Sequence, residues 1–409
     1  MSRKSFVVCT VLGTRPEIVK LAPLVPHLDA ETHIRHVLLH TGQHYSTELD
    51  AVFFDQLGLR PPDVHLSVGS QSHAAQTGAI LVGAEQCFLD HDVRLVLALG
   101  DTNSTLGAAL AAAKLAIPVV HIEAGCRSFV KTMPEEINRV VVDHLATQLL
   151  APDEQAKAHL LAEGISEKDI TVVGSTAIDA ARHFAKKTLG RTIVRDALTH
   201  LGLSATTPFL LCTVHRAENT TASVLPGLLR GLGKLAARHP IVWPVHPRTR
   251  HFLAEYDLPI PHNVLLLPPL GYLDLLALLK SAQAVCTDSG GLQEEAYALG
   301  TPVLILRDET EWTYLVEHGC AALIGKCEED IETRGLACLT QEFKQTMRTA
   351  AQKLSAQLHD GSASLSILQS IKQRWFPSAL AQNGFPPTCR NADQAGAGVG
   401  ATSNVGAKS

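Results

Sequence analysis

RLVLALGDTNSTLGAALAAAKLAIPVVHIEAG, residues 94–125, sets two short apolar runs on either side of an alanine-rich stretch. RLVLALG and IPVVHIE are too short for apolar helices and are rich in Val, Ile and Leu, so they read as buried strands. The stretch between them has helix-forming composition, and strand, helix, strand is the signature of a parallel βαβ unit. The same rhythm runs outward in both directions, through FVVCTV and IRHVLLHTG before it and LLAPDE after it.

A helical, charged stretch follows near residues 180–205, and then a second series begins: FLLCTVHR, IVWPVHP, NVLLLPPL, AVCTDSG and PVLILRD. At 409 residues the chain exceeds the size at which one core keeps growing, so two domains are expected. The fold class is therefore α/β, two Rossmann-like domains facing across a cleft. We place the first at residues 1–185 and the second at 186–376, and expect the last helix, SASLSILQSIKQRWF (362–376), to pack back on the first domain. Residues 377–409 are rich in Gly, Ala, Ser, Asn and Pro without apolar periodicity and read as a disordered tail.

The net charge of −5 sets up no general field for nucleic acid or anionic lipid, so neither is expected as a partner. Nine cysteines include no C-x-x-C pair and sit largely in apolar runs, which favours buried reduced thiols, a cytoplasmic location and no zinc site. The amino terminus, MSRKSFVVCTVLG, has too short an apolar run for a signal peptide and reads as a first strand. No segment has the apolar length needed to span a bilayer.

In doubly wound sheets ligands bind at the carboxyl ends of the strands, so polar clusters directly after apolar runs carry the most information. GTRPEIVK (13–20) turns at Gly13 and starts a helix at Pro16, placing Arg15 and free amides where an anion can sit, with Lys20 one turn further on. It matches neither the P-loop nor the G-x-G-x-x-G fingerprint, so no ATPase or dinucleotide enzyme is indicated. CTDSGGLQEEA (286–296) repeats the arrangement: Ser289, Gly290 and Gly291 open a helix able to cradle a phosphate, and Glu294 or Glu295 can accept from a ribose. His215 ends another run beside Arg216 and Glu218, within reach of a diphosphate.

Asp101 and Glu123 are delivered by successive strands to one rim and suit an acid and base pair, although for Asp101 taken alone helix capping is the more ordinary use. In MPEEINRVVVDH (133–144) a helix starts at Pro134. Ile137, Val140, Val141, His144 and Leu145 share a face that we expect to turn inward, with Glu135 and Arg139 facing the cleft and Arg139 orienting Glu135. Glu136, Lys131 and Asp143 read as surface charge.

Taken together, GTRPE, TGQHY, GDTNS, HIEAG, MPEEINR, VGSTAIDA, TVHRAEN, PVHP and TDSGGLQEEA, in that order over roughly residues 5–375, resemble the non-hydrolysing UDP-N-acetylglucosamine 2-epimerases. The resemblance implies a fold of the GT-B type and interconversion of UDP-N-acetylglucosamine and UDP-N-acetylmannosamine, supplying activated amino sugars for cell-surface polysaccharide. It implies elimination of UDP to 2-acetamidoglucal followed by re-addition, with no cofactor and no metal, in a homodimer. Residue by residue, it assigns Asp101, Glu123, Glu135, His215 and Lys20 to catalysis. It assigns Arg15, Arg139, His215, Ser289, Gly290, Gly291, Glu295 and Arg307 to UDP or substrate. Gln43 and His44 fall where bacterial members have a second, activating substrate site.

One loop departs from the family: TEWTY (310–314) stands where T-E-R-P-E or T-E-W-P-E is usual, which bears on sugar-side contacts. A 2-epimerase of a UDP-2,3-diacetamido uronic acid keeps the same signatures and is the alternative within the class. A GT-B glycosyltransferase is the alternative outside it, but transfer needs at most one base, whereas this rim carries three carboxylates. A catalytically silent nucleotide-sugar sensor has no use for the complete acid-base set.

Overall fold

The computed structural model of the protein describes residues 6–43, 53–357 and 362–376. The runs that read as strands are strands. β1 (Phe6–Leu12), β2 (Ile34–His40), β3 (Val64–His65), β4 (Leu95–Leu99), β5 (Val119–Ile122), β6 (Gln148–Ala151) and β7 (Ile170–Val172) form one sheet. A second sheet is built from β8 (Leu210–Thr213), β9 (Ile241–Pro244), β10 (Val264–Leu267), β11 (Ala284–Thr287), β12 (Val303–Ile305) and β13 (Ala321–Leu323). Among the described residues every pairing is parallel. Helices cover both faces, so the central strands are buried throughout and read as continuous apolar runs rather than alternating ones.

The orders are β3-β2-β1-β4-β5-β6-β7 and β10-β9-β8-β11-β12-β13. Each reverses direction once, between β1 and β4 in the first sheet and between β8 and β11 in the second. Loops on the two sides of such a reversal part to leave a crevice at the strands' carboxyl ends. GTRPE follows β1 and GDTNS follows β4; the VHR turn follows β8 and TDSGG follows β11. The topology alone thus brings four of the stretches that carry chemistry together in pairs, one pair in each sheet.

Each sheet has its own core. Around β1 and β4, Val11, Val96 and Ala98 pack on Phe88, Ala108 and Ala112 of the flanking helices. Around β8 and β9, Trp243, Leu228 and Leu232 pack with Ile331. The helices Thr176–Ala185 and Ile193–His200 occupy the charged stretch between the two series. The last helix runs Ala363–Trp375, and the Ser364 amide donates to Asp179 of the Thr176–Ala185 helix at 2.8 Å. Of the described cysteines only Cys327 is exposed; the others are buried or partly buried and none forms a disulfide, while Cys389 and the 377–409 tail lie outside the described residues. Among the described residues no helix is long and apolar enough to cross a membrane.

One expectation fails. The Pro134–Leu145 helix turns the opposite face inward: Glu136, Asn138, Val142 and Asp143 are buried, whereas Ile137 is 52% exposed and Val141 36%. Glu136 and Asp143 are therefore not surface charge. The polar residues win the interior because each finds partners there, which removes the cost of burying them. Glu136 accepts from the Ser128 and Phe129 amides at 2.9 Å each, and Asn138 donates to the Asp101 carbonyl at 2.8 Å. The apolar face is left outside.

Candidate active site

The turn after β1 is held by a residue that reading strand ends did not pick out. Glu17 is buried, and one carboxylate oxygen accepts from the Gly13 amide at 2.7 Å, the Thr14 amide at 2.8 Å and the Thr14 hydroxyl at 3.1 Å. The other oxygen accepts from Thr102 at 2.6 Å and Thr105 at 3.2 Å, so one carboxylate clamps the β1 and β4 turns together. Burial raises its carboxyl above the ordinary range even though all these donors pull it down. The T-x-x-E spacing of a capping box is the signal that could have found it. Gly13 has no room for a side chain, since a Cβ there would overlap the Thr41 and Ser104 hydroxyls.

On this clamp sits the first acid-base pair. The Lys20 ammonium donates to Glu123 Oε1 at 2.6 Å and Oε2 at 2.8 Å. Burial alone would lower the Lys20 ammonium, but Glu123 and Glu294 outweigh it and raise it. Glu123 has φ +66°, a left-handed backbone that costs a non-glycine residue about 1–2 kcal/mol. That turn at the end of β5 carries the carboxylate to the β1 side of the rim. Gly125, two residues on, leaves no room for a Cβ against the Ala156 carbonyl.

Asp101 pairs with Arg139, which also donates to Glu136 at 3.0 Å. The expectation that Arg139 orients Glu135 is thus not met; Arg139 orients Asp101 instead. Glu135 is partly buried, and among the described residues it has no hydrogen-bond partner. Arg15 lies with its guanidinium carbon 5.5 Å from the centre of the Phe53 ring. Gln43 is buried, its side-chain oxygen accepting from the Ser104 amide at 3.0 Å and hydroxyl at 2.7 Å. His44 lies outside the described residues.

In the second sheet the organiser is Asp288, fully buried at the end of β11. Its carboxylate accepts from the His215 amide at 3.0 Å, the Arg216 amide at 2.9 Å and Asn219 Nδ2 at 3.0 Å, which fixes the turn after β8. The His215 side chain is 41% exposed and faces the His246 ring, with 5.9 Å between ring centres. Ser289 Oγ caps the Gly290–Leu299 helix. The two glycines differ in purpose. A Cβ on Gly290 would strike the Glu311 carboxylate, whereas one on Gly291 would meet nothing, so the approach to the helix amides is open at Gly291.

Glu311 belongs to the divergent TEWTY loop and is held by two arginines, Arg216 at 2.8 Å and Arg307. Trp312 Nε1 donates to the Gly290 carbonyl at 2.9 Å. The loop therefore braces the glycine turn rather than standing apart from it.

Glu294 and Glu295 separate cleanly. Glu294 is buried and accepts from Ser175, which precedes the Thr176–Ala185 helix, at 2.9 Å. Burial lifts its carboxyl to about 8, with Lys20 pulling it down and Glu123 pushing it up. Glu295 is partly exposed; burial lifts it to about 7, against Tyr272 and Lys20. Of the two, only Glu295 is partly exposed. Among the described residues no three or more His, Cys, Asp or Glu side chains cluster in a way that could hold a metal ion.

The site as built offers a rim of carboxylates, two of them paired with cations, and a helix amino terminus backed by arginines and a histidine. Such a set can move protons on one side and hold a diphosphate on the other.

The model of the family described as UDP-N-acetylglucosamine 2-epimerase matches residues 26–372. The UDP-N-acetylglucosamine 2-epimerase of Methanocaldococcus jannaschii is 41% identical over 328 residues, spanning 78% of this chain and 89% of that protein. The UDP-2,3-diacetamido-2,3-dideoxy-D-glucuronate 2-epimerase of Pseudomonas aeruginosa is 38% identical over 328 residues, spanning 79% and 90%. The crystal structure of the Methanocaldococcus jannaschii UDP-GlcNAc 2-epimerase in complex with UDP-GlcNAc and UDP superposes with a TM-score of 0.73 at 37% identity, over 86% of this chain and all of that one. The two Rossmann-like sheets are thus those of a GT-B-type fold, and the chain belongs to the UDP-N-acetylglucosamine 2-epimerase family.

Proposed function

We propose that the protein interconverts UDP-N-acetylglucosamine and UDP-N-acetylmannosamine without hydrolysing them. The observation that carries this reading is that the Lys20–Glu123 and Asp101–Arg139 pairs stand at one strand reversal while an open glycine turn stands at the other. A C2 hydrogen with no neighbouring carbonyl is not acidic, so departure of the diphosphate supplies the driving force, and the protein must stabilise the charge as it leaves. Ser289, Gly290 and Gly291 with the helix amides, Arg15, Arg307 and His215 take that part, and Glu295 takes the ribose. Glu123, Asp101 and Glu135 take the protons: Lys20 holds Glu123 in place at the rim, Arg139 holds Asp101, and Glu135 completes the set of three. No cofactor is required.

The Pseudomonas aeruginosa relative favours one second reading, the same C2 inversion on a UDP-2,3-diacetamido uronic acid. Incubating the protein with each sugar in turn and separating the products by anion exchange decides between them. UDP-N-acetylmannosamine formed from UDP-N-acetylglucosamine alone supports the first reading; turnover of the uronate alone replaces it.

We further propose residues 1–185 and 186–376 as the two domains, a homodimer, and a cytoplasmic location feeding polysaccharide synthesis. The outward Ile137 and Val141, with Phe129 and Val130 also exposed, support a subunit contact, because clustered apolar exposure marks interfaces. The buried cysteines, none of them in a disulfide among the described residues, support a reducing compartment.

A further inference from the structure

His121 is the third residue of β5 and is fully buried. Its Nδ1 lies 2.6 Å from Asp143 Oδ1 and its Nε2 lies 2.8 Å from the Gly100 carbonyl oxygen. A carbonyl oxygen only accepts, and the Asp143 carboxylate is held ionised: burial raises it, but His121 and Arg127 lower it further. A neutral imidazole would turn a lone pair toward one of these two oxygens, so both nitrogens must carry protons. The second Asp143 oxygen takes Arg127 at 2.7 Å and the Gly125 amide at 3.1 Å, and Arg127 continues to Glu163 at 2.7 Å. His121, Asp143, Arg127 and Glu163 thus balance as two cations and two anions, with Glu163 alone near solvent.

We propose that His121 is a positioning residue, a permanent imidazolium that keeps the three carboxylates of the proposed reaction in register and in Glu123's field. Gly100 precedes Asp101, Asp143 lies on the helix that carries Glu135 and Arg139, and Glu123 directly follows the strand of His121 itself. A single ring therefore ties together the three elements that deliver the carboxylates. Burial works against the charged ring, but the groups facing it, Asp143 and the Gly100 carbonyl, outweigh that with Glu123 adding to them, so the imidazolium is favoured. The attraction between the ring and Glu123 is mutual.

The inference rests on the epimerase reading, and its test is separable from that reading. In the full-length protein, His121→Asn and His121→Gln are expected to lower kcat about 10- to 100-fold with KM within about threefold. They are expected to move the acid limb of kcat/KM up by about half a pH unit or more, because loss of a nearby cation raises a carboxylate. Asp143→Asn keeps an oxygen for the Nδ1 proton and is expected to give the same shift, smaller, should the His121 variants not fold. A fall in kcat that only follows the folded fraction, with an acid limb overlaying that of the parent, overturns the proposal. The 15N resonances of the His121 ring, assigned by difference with His121→Asn, are an independent check should neither sugar turn over. Both nitrogens protonated from pH 6 to 9 supports the proposal, and a neutral tautomer at pH 8 overturns it.

Discussion

The Lys20 ammonium grips both oxygens of the Glu123 carboxylate, at 2.6 and 2.8 Å, across 103 residues of chain. One partner stands on the helix after β1 and the other on a left-handed turn after β5. A bidentate pair at a rim, on strained backbone, is an expensive arrangement for stability alone. Glu123→Gln and Lys20→Met are each expected to lower kcat at least about 100-fold, the usual worth of a positioned proton-transfer group, while UDP binding changes little. Steady-state kinetics with UDP titration calorimetry checks this. A large loss of UDP affinity with normal turnover would place the pair at the diphosphate instead.

Asp288 organises the other side of the crevice. In Asp288→Asn one of the positions facing the His215 and Arg216 amides or Asn219 receives a donor in place of an acceptor. An unsatisfied buried donor costs about 1–3 kcal/mol, so the thermal midpoint is expected to fall and UDP affinity with it. Calorimetric unfolding and UDP titration read both. Wild-type affinity in this variant would show that the turn after β8 does not shape the anion site.

Glu294 gives a prediction in pH. Its carboxyl is raised from an ordinary value of 4.5 to about 8, so its protonated form favours the fold. That contribution is complete below 4.5 and is lost as pH rises toward about 8. Glu294→Gln, which stays neutral and can still accept from Ser175, is expected to raise the thermal midpoint at pH 8 and leave it nearly unchanged near pH 4.5. Equal shifts at both pH values would refute the assignment.

Much of this was legible in the sequence, for a physical reason. Strands buried on both faces by helices read as unbroken apolar runs, and ten of these strands were recognised that way. β3, β7 and β13 escaped notice because they are two or three residues long and only partly buried, whereas β12, also three residues long, is buried throughout. The Pro134–Leu145 helix misled because periodicity assumes that the apolar face turns inward, whereas here Glu136, Asn138 and Asp143 find partners inside. Strand-end reading picks out side chains offered to a ligand and passes over those that hold the turns, such as Glu17, Asp143, His121 and Glu311. Their partners lie far away in the chain.

The inverted helix carries its own test. Ile137→Glu combined with Val141→Glu places charge on a face already in solvent, so the subunit fold is expected to survive. Light scattering is expected to show a dimer in the parent and a monomer in the variant. A dimer that persists would put the subunit contact elsewhere.

The central claim is that one site removes and returns the C2 proton of a UDP-amino sugar. The most direct measurement follows UDP-N-acetylglucosamine by proton NMR in deuterium oxide with the purified protein and no acceptor. The account predicts appearance of UDP-N-acetylmannosamine carrying deuterium at C2, and progressive loss of the C2 proton from the remaining substrate. Full retention of the C2 proton by a sugar that demonstrably binds would contradict it.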